Sequence, residues 1–141
     1  TGDYVALFEP LATKLVNEGY GYKASLLGTL TDNVPYTAYN ARISYLEGNS
    51  DTITKFDRAI QRGLDFVHEN SSDDITKAIM NQFPDTSYND IKNAVESYLE
   101  NDTWPVNTTF SKKSFDHLQD IVIEAGFLDK KVNYSDLIYE R

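Results

Sequence analysis

The sequence predicts an α/β fold: a few strands early in the chain, then four or five helices, together the later part of a larger α/β protein. Three observations carry this. The first third holds short runs of apolar, aromatic and β-branched residues bounded by Gly and Pro, which is strand patterning. From Asn49 onward apolar residues recur at helical spacing behind helix-capping residues. The opening stretch, "YVALFEPLATKLVNEG", reads as strand, turn and helix in immediate succession.

Residues 4–8 form a continuous apolar run, as expected of a strand covered on both faces. Pro10 suits the first turn of a helix, where its missing N–H would be unpaired anyway. Leu11, Leu15 and Val16 follow at helical spacing, and Gly19 stops the helix. A second strand is predicted at 22–27, ended by Gly28. "GTLTDNVP" is rich in turn formers and reads as a connection. "YTAYNARI" alternates like a third strand.

The helical part begins at Asn49, with Ser50 as a cap and an apolar face of Ile53, Phe56, Ile60, Leu64 and Val67. The next helix starts with Ser71, Ser72, Asp73 and Asp74, residues that suit the positive end of a helix dipole. Its face is Ile75, Ala78, Ile79 and Phe83, and Pro84 ends it. Ser87 with Asp90 three residues on resembles a capping box. Phe115, Leu118, Val122 and Ala125 form the face of a further helix closed by Gly126. A last turn or two is expected from Ser135. Three strands make a narrow sheet for a free-standing domain, hence the expectation of a larger protein.

Composition limits the function classes. The chain has 141 residues, 22 acidic and 13 basic, for a net charge of −9. That argues against non-specific nucleic-acid or anionic-membrane binding. Cysteine is absent, so a disulfide scaffold, a thiolate metal site and a Cys nucleophile are excluded within it. No phosphate loop, GxSxG elbow, HExxH or EF-hand pattern occurs. His68 and His117 read as surface histidines with no ligand partner four residues on. Four N-x-[ST] sequons, at Asn70, Asn101, Asn107 and Asn133, read as chance in a chain rich in these residues. Asp73 and Asp74 read as helix-start charges. Tyr98, Tyr134 and Tyr139 read as covers for helix flanks. No metal or cofactor is expected.

Glu9 stands out, at a strand's carboxyl end and a helix's amino end, where open α/β folds bind ligands. A helix start ordinarily favours anions. A carboxylate there would repel them and would accept hydrogen bonds from an amine or an amidine-like edge. Equally, Glu9 can cap its own helix and touch no ligand. In "VPYTAY", Tyr36 and Tyr39 could offer a stacking face and Thr37 a hydroxyl, or the tyrosines could simply face solvent.

These stretches, "GDYVALFEPLATKL", "VPYTAYNARISYLEGNSDTITKFDRAIQRGLDFVHEN", "DDITKAIMNQFPDTSYNDIKNAVESYLENDTW" and "FDHLQDIVIEAGFLDKKVNYSDLI", resemble the solute-binding proteins of ABC importers, specifically the nitrate, sulfonate, taurine and thiamine-pyrimidine group. The resemblance spans nearly the whole chain. It implies the C-terminal portion of a two-lobed type II periplasmic-binding-protein fold. Residues 1–33 would be the βαβ tail of the second lobe, and 34–141 the return crossing and the mostly helical end of the first. It implies a ligand site at Glu9, Phe8, Tyr36, Thr37 and Tyr39, although many relatives have Trp where Phe8 stands. Glutamate at position 9 is most at home in the pyrimidine-binding branch.

The implied function is capture of a small solute by hinge closure, with a thiamine-precursor-like pyrimidine favoured and a sulfonate, taurine or nitrate as runner-up. Implied partners are the solute and the permease subunits of an ABC importer. The implied location is extracytoplasmic: a lipoprotein on a Gram-positive cell surface, anchored through a lipid outside this segment, or otherwise the periplasm. No catalysis is expected. The rival on the same fold is a thiamine-pyrimidine synthase, whose cysteine-rich motif is not present here. Sheet edges left open in the isolated segment would pair with a second copy to give a homodimer.

Overall fold

Ser71, Ser87 and Ser111 each place a hydroxyl one residue ahead of a helix. Each accepts a hydrogen bond from a backbone N–H three residues on: Asp74 at 3.2 Å, Asp90 at 3.2 Å and Ser114 at 3.0 Å. Satisfying one of the unpaired N–H groups of a first turn fixes where a helix begins. These caps open α5 (Ser72–Ile79), α6 (Tyr88–Glu100) and α7 (Lys112–Glu124). The structure is a computed structural model and describes residues 2–31 and 34–139.

The other helices are α1 (Leu11–Asn17), α2 (Leu27–Leu30), α3 (Ile43–Gly48), α4 (Ser50–Glu69) and α8 (Tyr134–Leu137). A 3-10 turn, Met80–Gln82, continues α5. Gly19 and Gly126 end α1 and α7 at φ values of +80° and +76°. Behind each, paired hydrogen bonds close the helix: Gly19 to Val16 and Tyr20 to Leu15, Gly126 to Ile123 and Phe127 to Val122. Both stops are Schellman motifs, where a left-handed residue suits glycine.

The α/β expectation is overturned. Among the described residues there is no strand, and the fold is all-helical. Residues 4–8, 22–26 and 36–42 run without helix or ladder, and residue 43 already belongs to α3. The first run was expected to be covered on both faces, yet Tyr4 is 86% and Val5 75% exposed. The patterning of these runs is local, but a strand exists only where a neighbour accepts its backbone hydrogen bonds, and among the described residues none lies alongside them. With no described sheet edge, the expected route to a homodimer is also absent. Asp32 and Asn33, in the predicted connection and at the predicted lobe boundary, lie outside the described residues, as do Glu140 and Arg141 of the predicted last helix.

The core is small and sits between α5 and α6. Ile75, Ile91 and Val95 are buried, with Val67, Ile79, Leu99 and Trp104 packed around them. Only Val67 of the α4 face reaches this cluster. Phe56 on the same face is 44% exposed, and Ala78 and Ala125 on neighbouring predicted faces are exposed too. A second packing point joins α7 to α8, where buried Phe115 meets Phe110 and Tyr134 edge-on. There Gln119 accepts from Val132 N–H at 2.7 Å and donates to its carbonyl at 3.3 Å.

The chain exposes 11111 Å². A compact monomer of its mass, 16.0 kDa, would expose about 7,400 Å² by the usual scaling. In the N-terminal third Tyr20, Tyr22, Leu27 and Leu30 are all more than two-thirds exposed.

Candidate functional site

Glu9 lies two residues before the first residue of α1, close enough for its side chain to reach back over the first turn. Its Oε2 accepts the Thr13 backbone N–H at 2.9 Å, which satisfies a donor that Pro10 and the turn leave open. Its Oε1 accepts from Lys23 Nζ at 3.0 Å. Lys23 also donates to Ser97 Oγ at 3.3 Å, and Asn17 donates to Asp90 at 2.8 Å, so two side chains bind the N-terminal segment to α6. The Glu9 side chain is only 7% exposed. Burial alone would raise its pKa, but the Thr13 and Lys23 hydrogen bonds and the Lys23 charge outweigh burial and hold the carboxyl below its ordinary value.

The residue therefore caps its own helix and carries an ion pair as well. The positional argument for it, a strand end facing a cleft, falls with the strand. Its two oxygens keep lone pairs beyond those two hydrogen bonds, so further acceptance is chemically open.

Phe8 and Tyr36 come together, with ring centroids 5.2 Å apart and planes tilted by 45°. They are 66% and 79% exposed, so the pair forms an open aromatic face beside Glu9. Tyr39 stands apart from that pair and meets Phe56 of α4 edge-on at 4.9 Å. Thr37 is exposed between them. Of the five predicted site residues, Phe8, Glu9 and Tyr36 thus adjoin, while Tyr39 belongs to a second aromatic contact.

Sequence reading missed Lys23, Ser97, Tyr98 and Trp104. Lys23 bonds Glu9 directly and Ser97 joins only through Lys23, and no spacing in the sequence signals either contact. Tyr98, expected to cover a helix flank, meets Trp104 edge-on at 5.3 Å. With Glu9, Pro10 and apolar residues of α5 and α6 they line an open pocket of about 120 Å³. Burial, then the nearby Glu9 charge, pushes the Tyr98 hydroxyl pKa up.

His68 borders this region, lining a smaller pocket with Tyr98, Leu99, Asp102 and Trp104. His68 bonds the Pro105 carbonyl and His117, half-buried, bonds the Thr31 carbonyl. Asp73 receives Tyr88 O–H at 2.8 Å and pairs with Lys92 at 3.0 Å, across α5 and α6. Among the described residues no cluster of three potential metal ligands occurs, and no helix is long and apolar enough to cross a membrane.

The chain is 36% identical, over 138 residues or 98% of its length, to a Bacillus subtilis (strain 168) protein named "Putative binding protein YtlA". The match occupies 41% of that relative, so the chain spans about two fifths of its length. No family model matches the chain, and no solved structure matches it. The similarity is thus to a protein named for binding, without a named ligand.

Proposed function

We propose that this chain is the ligand-contacting segment of a solute-binding protein that serves an ABC importer, with no catalysis of its own. The favoured ligand is a small amino-heterocycle of the thiamine-precursor pyrimidine kind. The open Phe8–Tyr36 pair carries the reading: two exposed rings beside a carboxylate suit a flat, nitrogen-containing ring, which stacks on one and hydrogen-bonds the other. The binding-protein name of the relative and the large exposed surface of the N-terminal third support it. In this reading further polypeptide covers the exposed face and encloses the ligand, and the enclosed state engages the permease outside the cytoplasm. The earlier α/β architecture is no part of it.

A second ligand class has one observation in its favour. Lys23, 3.0 Å from Glu9, neutralises the carboxylate that would otherwise repel a sulfonate or nitrate. Calorimetry of the natural full-length polypeptide containing this sequence, against panels of aminopyrimidines and sulfonates, separates the two. The proposal expects saturable aminopyrimidine binding that Phe8→Ala or Tyr36→Ala weakens tenfold or more. Binding of sulfonates alone reassigns the ligand. Binding of neither, or binding that both variants leave intact, removes the proposal.

A further inference from the structure

α4 carries an uncharged outer face, separate from the Phe8–Tyr36 pair and independent of the transport reading. The helix is 20 residues long and none of its side chains is fully buried. Ile53, Ile60, Leu64 and Val67 are half-buried, while beside them Thr52, Phe56, Ala59, Gly63 and Phe66 are exposed. These five recur at spacings of four, three, four and three, which keeps them in one stripe along the helix. Both rows together span an arc of about 160°, and every charged residue of α4 lies outside it.

Gly63 marks the middle of the stripe. Glycine is unfavourable in a helix interior relative to alanine. Among the described residues a Cβ on Gly63 would meet nothing within 4 Å, so no close approach inside the chain calls for it. With Ala59 one turn earlier it makes a waist between the rings of Phe56 and Phe66, which are 44% and 39% exposed. Phe56 keeps that exposure although Tyr39 touches it edge-on.

A second copy of α4, running antiparallel, fits this face. With a two-fold axis level with residue 61, Ala59 lies opposite Gly63 of the copy and Phe56 opposite its Phe66. Each residue then serves both halves of the contact, as an isologous interface requires. Along one edge the same arrangement sets Lys55 against Glu69 of the copy, twice by symmetry. Lys55 is held only loosely by Asp51 at 3.2 Å, a pair open to solvent on both sides, and Glu69 has no ion pair among the described residues. A parallel pair would set Lys55 against Ile60 and lose both ion pairs, which fixes the direction. Arg62 comes near its own copy, an exposed like-charge contact that solvent screens. We propose that two copies of this chain associate through α4, antiparallel, with Ala59 and Gly63 at the crossing. A stripe about 21 Å long buries less than about 1,200 Å² in total, so the dimer is a weak one, dissociating in the micromolar range.

Sedimentation equilibrium of the 141-residue chain, from micromolar to millimolar concentration, tests this. A monomer–dimer equilibrium with no larger species is expected, since a two-fold contact closes on itself. Gly63→Leu fills the waist at a position open in the single chain, so far-UV circular dichroism should hold while the dimer weakens about tenfold or more. Lys55→Glu should weaken it roughly threefold, and Lys55→Glu with Glu69→Lys should restore it; these two variants decide the matter if Gly63→Leu alters the fold. The chain has no cysteine, so Ala59→Cys and Gly63→Cys chains, mixed and oxidised, should cross-link to each other more than either does to itself. Monomer at every concentration, a dimer that Gly63→Leu leaves intact, a charge swap that fails to restore affinity, or no preference for the mixed cross-link would overturn the proposal.

Discussion

Glu9→Gln perturbs the junction on which the N-terminal segment depends. Glu9 accepts one backbone N–H of the first turn of α1 and one ammonium hydrogen bond from Lys23. A side-chain cap on a helix start is worth about 1 kcal/mol. The Lys23 side chain is 35% exposed, so solvent screening holds the ion pair to about 0.5 kcal/mol. Glutamine keeps one acceptor oxygen and loses the charge, so the variant should be less stable by about 1 kcal/mol at pH 7. The pH dependence follows from the direction of the shift. The folded-state pKa of Glu9 lies below its ordinary value of 4.5, so its contribution is fully present above 4.5 and lost as pH falls through the folded-state value. Urea unfolding followed by far-UV circular dichroism, at steps from pH 7 to pH 3, measures the gap between the two proteins. It should narrow towards pH 3, where a protonated Glu9 resembles glutamine. Other carboxylates titrate in both proteins and cancel in the difference. No gap at pH 7, or a gap unchanged down to pH 3, refutes the assignment of Glu9 as cap and ion-pair partner.

Four further outcomes are expected. Ile91→Ala empties the middle of the core, where the side chain is 3% exposed, and should cost about 2–4 kcal/mol in urea unfolding. Gly126→Ala forces a Cβ into the left-handed stop of α7 and should cost about 1 kcal/mol by the same assay. Ser87→Ala removes the cap of α6 and the 2.7 Å hydrogen bond to Asp90; it should cost about 1 kcal/mol and raise the Asp90 pKa, read by carboxylate NMR titration. Phe8→Ala, at a ring already 66% exposed, should change stability by less than about 0.5 kcal/mol while weakening solute binding, which separates a binding role from a packing one.

What could be read from sequence is what local chemistry decides. Ser71, Ser87, Gly19 and Gly126 punctuate helices through neighbours at most five residues away, and each sits where its pattern puts it. The strands failed because pairing is non-local. "YVALF" and "YTAYNARI" have strand composition, but composition supplies no partner ladder. Thr76 and Gln119 show the same limit in the core: both are buried polar residues, at 0% and 5% exposure, because Thr76 bonds the Ser72 carbonyl and Gln119 brackets Val132. At the candidate site, the adjacency of Phe8 and Glu9 is written in the chain. The approach of Tyr36 to Phe8, of Lys23 to Glu9 and of Trp104 to Tyr98 belongs to tertiary packing and has no signature in spacing.

The central claim is that solute is held on the Phe8–Tyr36 face. Chemical-shift mapping of the natural full-length polypeptide, with labelled aromatic side chains and an aminopyrimidine as titrant, addresses it directly. The account predicts saturable shifts at the ring resonances of Phe8 and Tyr36, with Trp104 unmoved. Saturable shifts confined to Trp104 and Tyr98, or none at Phe8 and Tyr36, would contradict it.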